Sequence, residues 1–175
     1  MANTQSMCTS FMGELLVGAH QFGSVTLTSR TSLTSPTTDT FKALLVLASA
    51  TVNASQTNVG TPGTGTPTTS NIGTAEVSGT NYTAGGVTVT NATAPIATNS
   101  SSTAGVAYWT PSASFVYTNV TLTTAFDTVV LYNSTQGGKT VSVHTFGSQT
   151  ITAGTFTLTM PANSTTTALL RLATT

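Results

Sequence analysis

Between Phe126 and Pro161 the chain spells three β-strand segments in succession: Phe-Asp-Thr-Val-Val-Leu-Tyr-Asn from 126, Lys-Thr-Val-Ser-Val-His-Thr-Phe-Gly from 139, and Gly-Thr-Phe-Thr-Leu-Thr-Met-Pro from 154. β-Branched and aromatic residues dominate each segment, and turn formers bound them. Gly137-Gly138 divides the first from the second. The stretch from Gly147 to Gly154, with a short Gln149-Thr150-Ile151-Thr152 piece inside, divides the second from the third. The third alternates strictly, with Phe156, Leu158 and Met160 on one face and Thr155, Thr157 and Thr159 on the other. Period two of this kind marks an antiparallel strand with one face buried. Such a strand needs sheet neighbours and an apolar layer beneath it, so the rest of the chain must supply both.

Taken in order, residues 1–10 read as an extended arm, either frayed or docked on a neighbouring molecule. A helix is predicted next, with Ser10 as N-cap, Glu14 in the first turn, a shared face of Phe11, Leu15, Ala19 and Phe22, and Gly23 as its stop. Val25 to Thr28 is a short strand, Arg30 to Asp39 a polar loop, and Thr40 to Ala48 a buried strand. Ser49 to Gly73 is of low complexity and has no apolar pattern. It is expected to leave the body and to order only under a neighbour. A turn between Glu76 and Gly86, an alternating strand to Thr90, and a polar loop from Asn91 to Gly105 follow. Phe115 to Leu122 and Ala168 to Leu172 are further strands. The expected fold is all-β, an antiparallel β-sandwich or jelly-roll-like domain over residues 11–175 with a short N-terminal helix and long polar loops. The 49–73 loop is an excursion from it.

Charge narrows the function. Only 5% of residues are charged, against about 25% in ordinary domains. They are Glu14, Arg30, Asp39, Lys42, Glu76, Asp127, Lys139 and Arg171, with net charge +0. Four scattered Lys and Arg residues exclude a phosphate-binding surface, so no nucleic-acid partner is expected. No apolar run reaches the ~20 residues of a membrane helix, and the N-terminus lacks a signal-peptide pattern, which implies synthesis in a cytoplasm. The lone Cys8 excludes an intramolecular disulfide. Threonine, about a quarter of the chain, alternates with Val, Leu, Ile and Phe. That is the pattern of a sheet's open face rather than of disorder. Low charge with unprotected strand edges predicts aggregation of the free chain.

No catalytic constellation emerges. His20 and His144 are expected to be structural, His20 on the polar side of the helix and His144 pointing with Val141 and Val143 or at the sheet edge. A catalytic histidine would need a nucleophile or carboxylate beside it. Cys8, Glu14, His20, Asp39 and Asp127 form no ligand motif, so no metal, cofactor or small-molecule substrate is expected. Asp39 with Lys42, and Asp127 with Lys139, are candidate ion pairs of small value. The aromatic group Tyr108, Trp109, Phe115 and Tyr117 reads either as core or as a platform for sugar faces.

Several stretches resemble a family of small virion proteins of tailed bacteriophages. They are Cys8-Thr-Ser-Phe-Met-Gly-Glu-Leu-Leu, Thr40-Phe-Lys-Ala-Leu, Gly79-Thr-Asn-Tyr-Thr-Ala-Gly-Gly-Val, Val143-His-Thr-Phe-Gly and Gly154-Thr-Phe-Thr-Leu. Their order along the chain runs from Cys8 to Leu172, and the main departure is the long 49–73 loop. The resemblance implies a non-enzymatic structural protein on the capsid surface, a decoration (cement) protein whose partners are the major capsid protein and copies of itself. Alternatives are a tail, adaptor or fibre-base component, and a host-surface glycan-binding module. Candidate interface residues are Met7, Cys8 and Phe11 at the arm and helix start, with Tyr108 and Trp109 in the aromatic group.

Overall fold

The fold is organised by one long hairpin, seen in a computed structural model that describes residues 2–23, 37–90, 94–99 and 105–173. Its strands are β6 (Phe115–Asn133) and β7 (Lys139–Leu158), 19 and 20 residues long, closed by the turn at Gly137-Gly138. At the closed end β6 is buried on both faces from Thr128 to Asn133, which explains the continuous apolar run Val129-Val130-Leu131 there. β2 (Phe41–Leu47) lies along this end, from Phe41 opposite Asn133 to Leu47 opposite Phe126. Ala43, Leu44, Leu45 and Val46 are fully buried, so β2 is a central strand, as its unbroken hydrophobicity predicts. β3 (Val87–Thr88) flanks β2, and β1 (Ser6–Met7) flanks β7. The five-stranded order is β1-β7-β6-β2-β3. A second sheet, in the order β4-β5-β8, contains β4 (Ile96–Asn99), β5 (Gly105–Trp109) and β8 (Leu170–Ala173). Every pairing is antiparallel, and neither sheet closes on itself.

Several expectations are corrected. Gly147 to Gly154 does not separate two strands. β7 runs through it, and four of the five register shifts along the β6–β7 pairing fall there, between Thr145 and Phe156. The helix α1 spans only Thr9–Leu16. Cys8 is its N-cap, in extended conformation and without a side-chain cap, and Glu14 is not in the first turn. It ends where Gly18 takes φ +70°, with Ala19 N–H donating to Glu14 O at 2.9 Å and Gly18 N–H to Leu15 O at 3.2 Å. That pair of bonds is the Schellman closure, and it needs a left-handed residue at Gly18. Phe22 reaches the core that Phe11 occupies after the chain has turned, not by continued helix. β3 is two residues long, and the expected 91–105 loop contains β4. The short strand at Val25 to Thr28, and most of the loop from Arg30 to Asp39, lie outside the described residues.

The 49–73 excursion is ordered by the chain's own contacts. Val52, Val59 and Ile72 are buried. Val59 N–H donates to Gly138 O at 2.9 Å, and Ile72 N–H to Val59 O at 2.9 Å. The buried Gln56 donates to Thr68 O at 2.8 Å and accepts at its carbonyl from Thr140 Oγ1 at 2.6 Å. The loop therefore clasps the hairpin turn. The N-terminal arm is also held in cis. Asn3 donates to Asp127 Oδ1 at 2.7 Å and accepts from Val52 N–H at 2.9 Å, and Thr4 N–H donates to Val52 O.

Two aromatic groups fill the interior. Phe22 stacks on Phe41 with centroids 4.3 Å apart and meets Trp109 edge-on at 4.9 Å. This group joins α1's flank, β2 and the second sheet. The other gathers Tyr82, Tyr117, Phe126, Phe146 and Phe156 under the open end of the hairpin.

Candidate docking surface

Where α1 meets the second sheet, the two elements do not fill the space between them. A cleft of about 110 Å³ remains, with no polar atom on its wall. Met7, Phe11 and Leu15 line it from the β1–α1 side, and Tyr108, Trp109 and Leu172 from the second sheet. The helix puts Phe11 and Leu15 one turn apart on one flank, and the strand period puts Leu170 and Leu172 on one face of β8. Phe11 and Trp109 are each 2% exposed, so they form the floor. Trp109 Nε1 is buried without a hydrogen-bond partner. Unpaired buried donors are uncommon in native folds and each costs roughly 1–3 kcal/mol.

Of the residues expected at an interface, Met7, Phe11, Tyr108 and Trp109 come together here. Cys8 does not. It is fully buried, its thiol pushed up by that burial with Thr140 opposing, and a neighbouring molecule cannot reach it. Leu15, Leu170 and Leu172 complete the wall. Leu170 and Leu172 alternate visibly in the sequence, but nothing local indicates which sheet they join. The aromatic group does not form a platform: Trp109, Phe115 and Tyr117 are at most 3% exposed, and they divide between different parts of the core.

The rim continues as apolar surface. Met12 is 47% exposed, Leu16 89% and Val17 80%, with Leu172 across the cleft at 46%. No unpaired charge interrupts it. Arg171 lies between Leu170 and Leu172, so the strand period sends it to the opposite face.

Glu14, at the helix end, is neutralised inward. It pairs with Lys139 and accepts from His20 Nε2 at 2.7 Å. Burial alone would raise its carboxyl, but the Lys139 and His20 contacts outweigh this and lower it. His20 Nδ1 faces Asn133 Nδ2 at 3.1 Å, and the same amide donates to Asp39 Oδ2 at 2.6 Å. His20 is thus buried in a polar network instead of lying on a polar helix face. Neither Asp39–Lys42 nor Asp127–Lys139 forms an ion pair among the described residues. Lys139 goes to Glu14, Asp39 to Asn133, and Asp127 to Asn3.

His144 turns to the face opposite Val141 and Val143, beside Ser142, with Oγ and Nε2 2.8 Å apart. Both line a second cavity of about 410 Å³. Burial depresses the imidazole from 6.5 to about 4, so the folded chain holds it neutral at pH 7. The unfolded chain takes up a proton as pH falls through 6.5, whereas the folded chain resists until about 4. Stability is therefore present above that window and lost within it, by an expected loss of about 2–3 kcal/mol. Urea titrations at pH 7 and pH 4 should show this loss, and His144→Gln should remove that share of it. An equal loss in the variant would assign the acid sensitivity elsewhere.

Among the described residues no three His, Cys, Asp or Glu side chains gather to hold a metal, and no helix is long and apolar enough to cross a membrane. No family model, curated protein or solved structure matches the chain.

Proposed function

We propose that this chain is a non-enzymatic structural protein of a tailed-phage virion, made in the host cytoplasm, and that it decorates the capsid surface and braces the major coat lattice. The observation that carries this reading is the outer half of β7. From Thr145 to Leu158 it has β6 on one side and no strand on the other among the described residues. The segment contains no charged residue, and Thr150, Thr152, Thr155 and Thr157 are exposed along it. An uncharged edge with free backbone groups suits β-augmentation by a coat subunit. It binds through main-chain hydrogen bonds and methyl contacts rather than salt bridges. Trp109 and Leu170 of the second sheet, laid with Phe22 against Phe41 of the first, support the finer reading of a two-layer, sandwich-like module. The burial of Trp109, Phe115 and Tyr117 argues against the glycan-binding alternative, which needs those rings exposed.

The test is the copy number of the chain per virion, by quantitative mass spectrometry against the major coat protein. A ratio near one to one, or a simple fraction of it, is the expected result. A few copies against hundreds of coat subunits would reject decoration in favour of a tail or adaptor position.

A further inference from the structure

We infer that the apolar cleft between α1 and the second sheet is the seat of a two-fold dimer, each copy inserting Leu16 of its own helix tip into the cleft of the other, with Val17 against the rim beside it.

The argument starts from two features on one surface. The cleft is a hole with a wholly apolar wall, about 110 Å³ in volume and open to one side. An apolar cavity of about 150 Å³ accepts a benzene ring, so this one suits a single branched aliphatic side chain. Beside it stands a knob. Leu16 and Val17 are the two most exposed large apolar residues among the described ones, at 89% and 80%. Met12 sits one helical turn before Leu16, next to the Phe11–Leu15 flank that lines the hole. No contact within the chain accounts for leaving these residues in water.

A hole and a knob side by side satisfy the geometry of an isologous pair. Under a two-fold axis, residue i of one copy meets residue j of the other, and j meets i. Both features are then consumed at once and the assembly closes, whereas a knob that fitted a distant hole would build an open chain. Electrostatics permits the approach. Glu14 is paired to Lys139 and His20, Arg171 points from the other face of β8, and the net charge of the copies is +0. No like charges therefore meet across the axis. Leu16 and Val17 precede the Gly18 closure, and no described group donates to either carbonyl. Both acceptors are thus left to solvent at the margin of the contact, where they do not oppose it. The inference does not depend on the virion assignment, because the β7 edge proposed to meet the coat lies elsewhere on the molecule.

The chain has one tryptophan, and it forms the floor of the cleft, so its emission reports occupancy. The experiment is sedimentation velocity together with Trp109 emission on the full chain, from about 1 to about 100 µM. The proteins are the wild type, Leu16→Glu and Val17→Asp. Both substitutions fall on solvent-exposed side chains, and thermal melts confirm that the variants fold. The expected result is a wild-type dimer, with an emission change that follows the same concentration midpoint. Each variant should dissociate at least about tenfold more readily. A wild type that stays monomeric with constant emission overturns the inference. A dimer that persists unchanged in both variants overturns it equally.

Discussion

Gly86→Ala should leave no cooperatively folded protein in a urea titration at neutral pH. Gly86 sits at φ +70°, and a Cβ there would overlap the carbonyl carbon and oxygen of Ala43 and lie 2.6 Å from Leu44 Cα. All of these obstacles are backbone, and all belong to β2, whose residues Ala43 to Val46 are fully buried. They cannot swing aside as a flexible side chain would. Relief requires moving β2 off β6 or the Gly85-Gly86 turn off β2, and either breaks the β2–β3 pairing and the buried Tyr132 hydroxyl bond to Gly85 O at 2.8 Å. The cost combines steric displacement with left-handed backbone strain and should exceed about 4 kcal/mol, a large share of the roughly 5–15 kcal/mol that holds a domain together. Gly13→Ala is the control. Nothing lies within 4 Å of its Cβ position, so alanine should add up to about 1 kcal/mol of helix stability. A soluble Gly86→Ala protein with the wild-type urea midpoint would show that the turn does not rest on β2 as described.

Glu76→Ala should cost about 3 kcal/mol, although it deletes a buried charge. The carboxylate is 4% exposed, and Oε1 accepts from the Tyr82 hydroxyl at 2.8 Å and from Gly85 N–H at 2.6 Å. The Tyr82 oxygen accepts in turn from Leu45 N–H at 3.0 Å, so one side chain ties the 80–86 turn to β2. Alanine leaves the buried Gly85 N–H and the part-buried Tyr82 hydroxyl without their acceptor, at roughly 1–3 kcal/mol for each such donor. The pH dependence separates the two contributions. Burial raises the Glu76 carboxyl above 4.5, against the bonds from Gly85 and Tyr82. The folded chain therefore holds this proton more tightly than the unfolded chain. The resulting stabilisation is complete below 4.5 and fades as pH rises through the folded value. The penalty for alanine should be larger at pH 4.5 than at pH 8. Glu76→Gln keeps an acceptor for both donors and should stay within about 1 kcal/mol of wild type, without that pH component. Urea midpoints at the two pH values measure all three proteins. A Glu76→Ala protein as stable as the wild type would remove Glu76 from the turn's support.

Local pattern carried much of the sheet. The alternation of Phe156 and Leu158, the turn at Gly137-Gly138 and the apolar run of β2 are all period or punctuation signals, and all are realised, although β7 stops at Leu158, short of Met160. What was illegible depended on distance. The continuity of β7 through Gly147 to Gly154 was hidden because the bulges shift the period, so the segment reads as a loop until its partner is known. Helical spacing of Phe11, Leu15, Ala19 and Phe22 predicts a helix that runs to Phe22. A reversal at Gly18 delivers Phe22 to the same core and leaves Leu16 and Val17 outside. Glu14 and Lys139 stand 125 positions apart, and no spacing rule pairs them. The cleft was half legible. Met7, Phe11, Tyr108 and Trp109 stand out by bulk and position, whereas Leu15, Leu170 and Leu172 join them only through the packing of α1 on the second sheet.

The five register shifts along β6 and β7 bear on how such a chain survives at high concentration. Fibril growth stacks straight, in-register strands with nothing to break the repeat. Most proteins discourage this with charge at their sheet edges, and the stretch from Thr140 to Met160 has none. Here the kinks themselves act as the safeguard. An edge bent at several points cannot template an identical edge over any length, yet it remains open to a surface whose contour already follows the bends. The irregularity thus works against the edge pairing expected from low charge alone, and under the proposed function any strand that adds to this edge must match its bends.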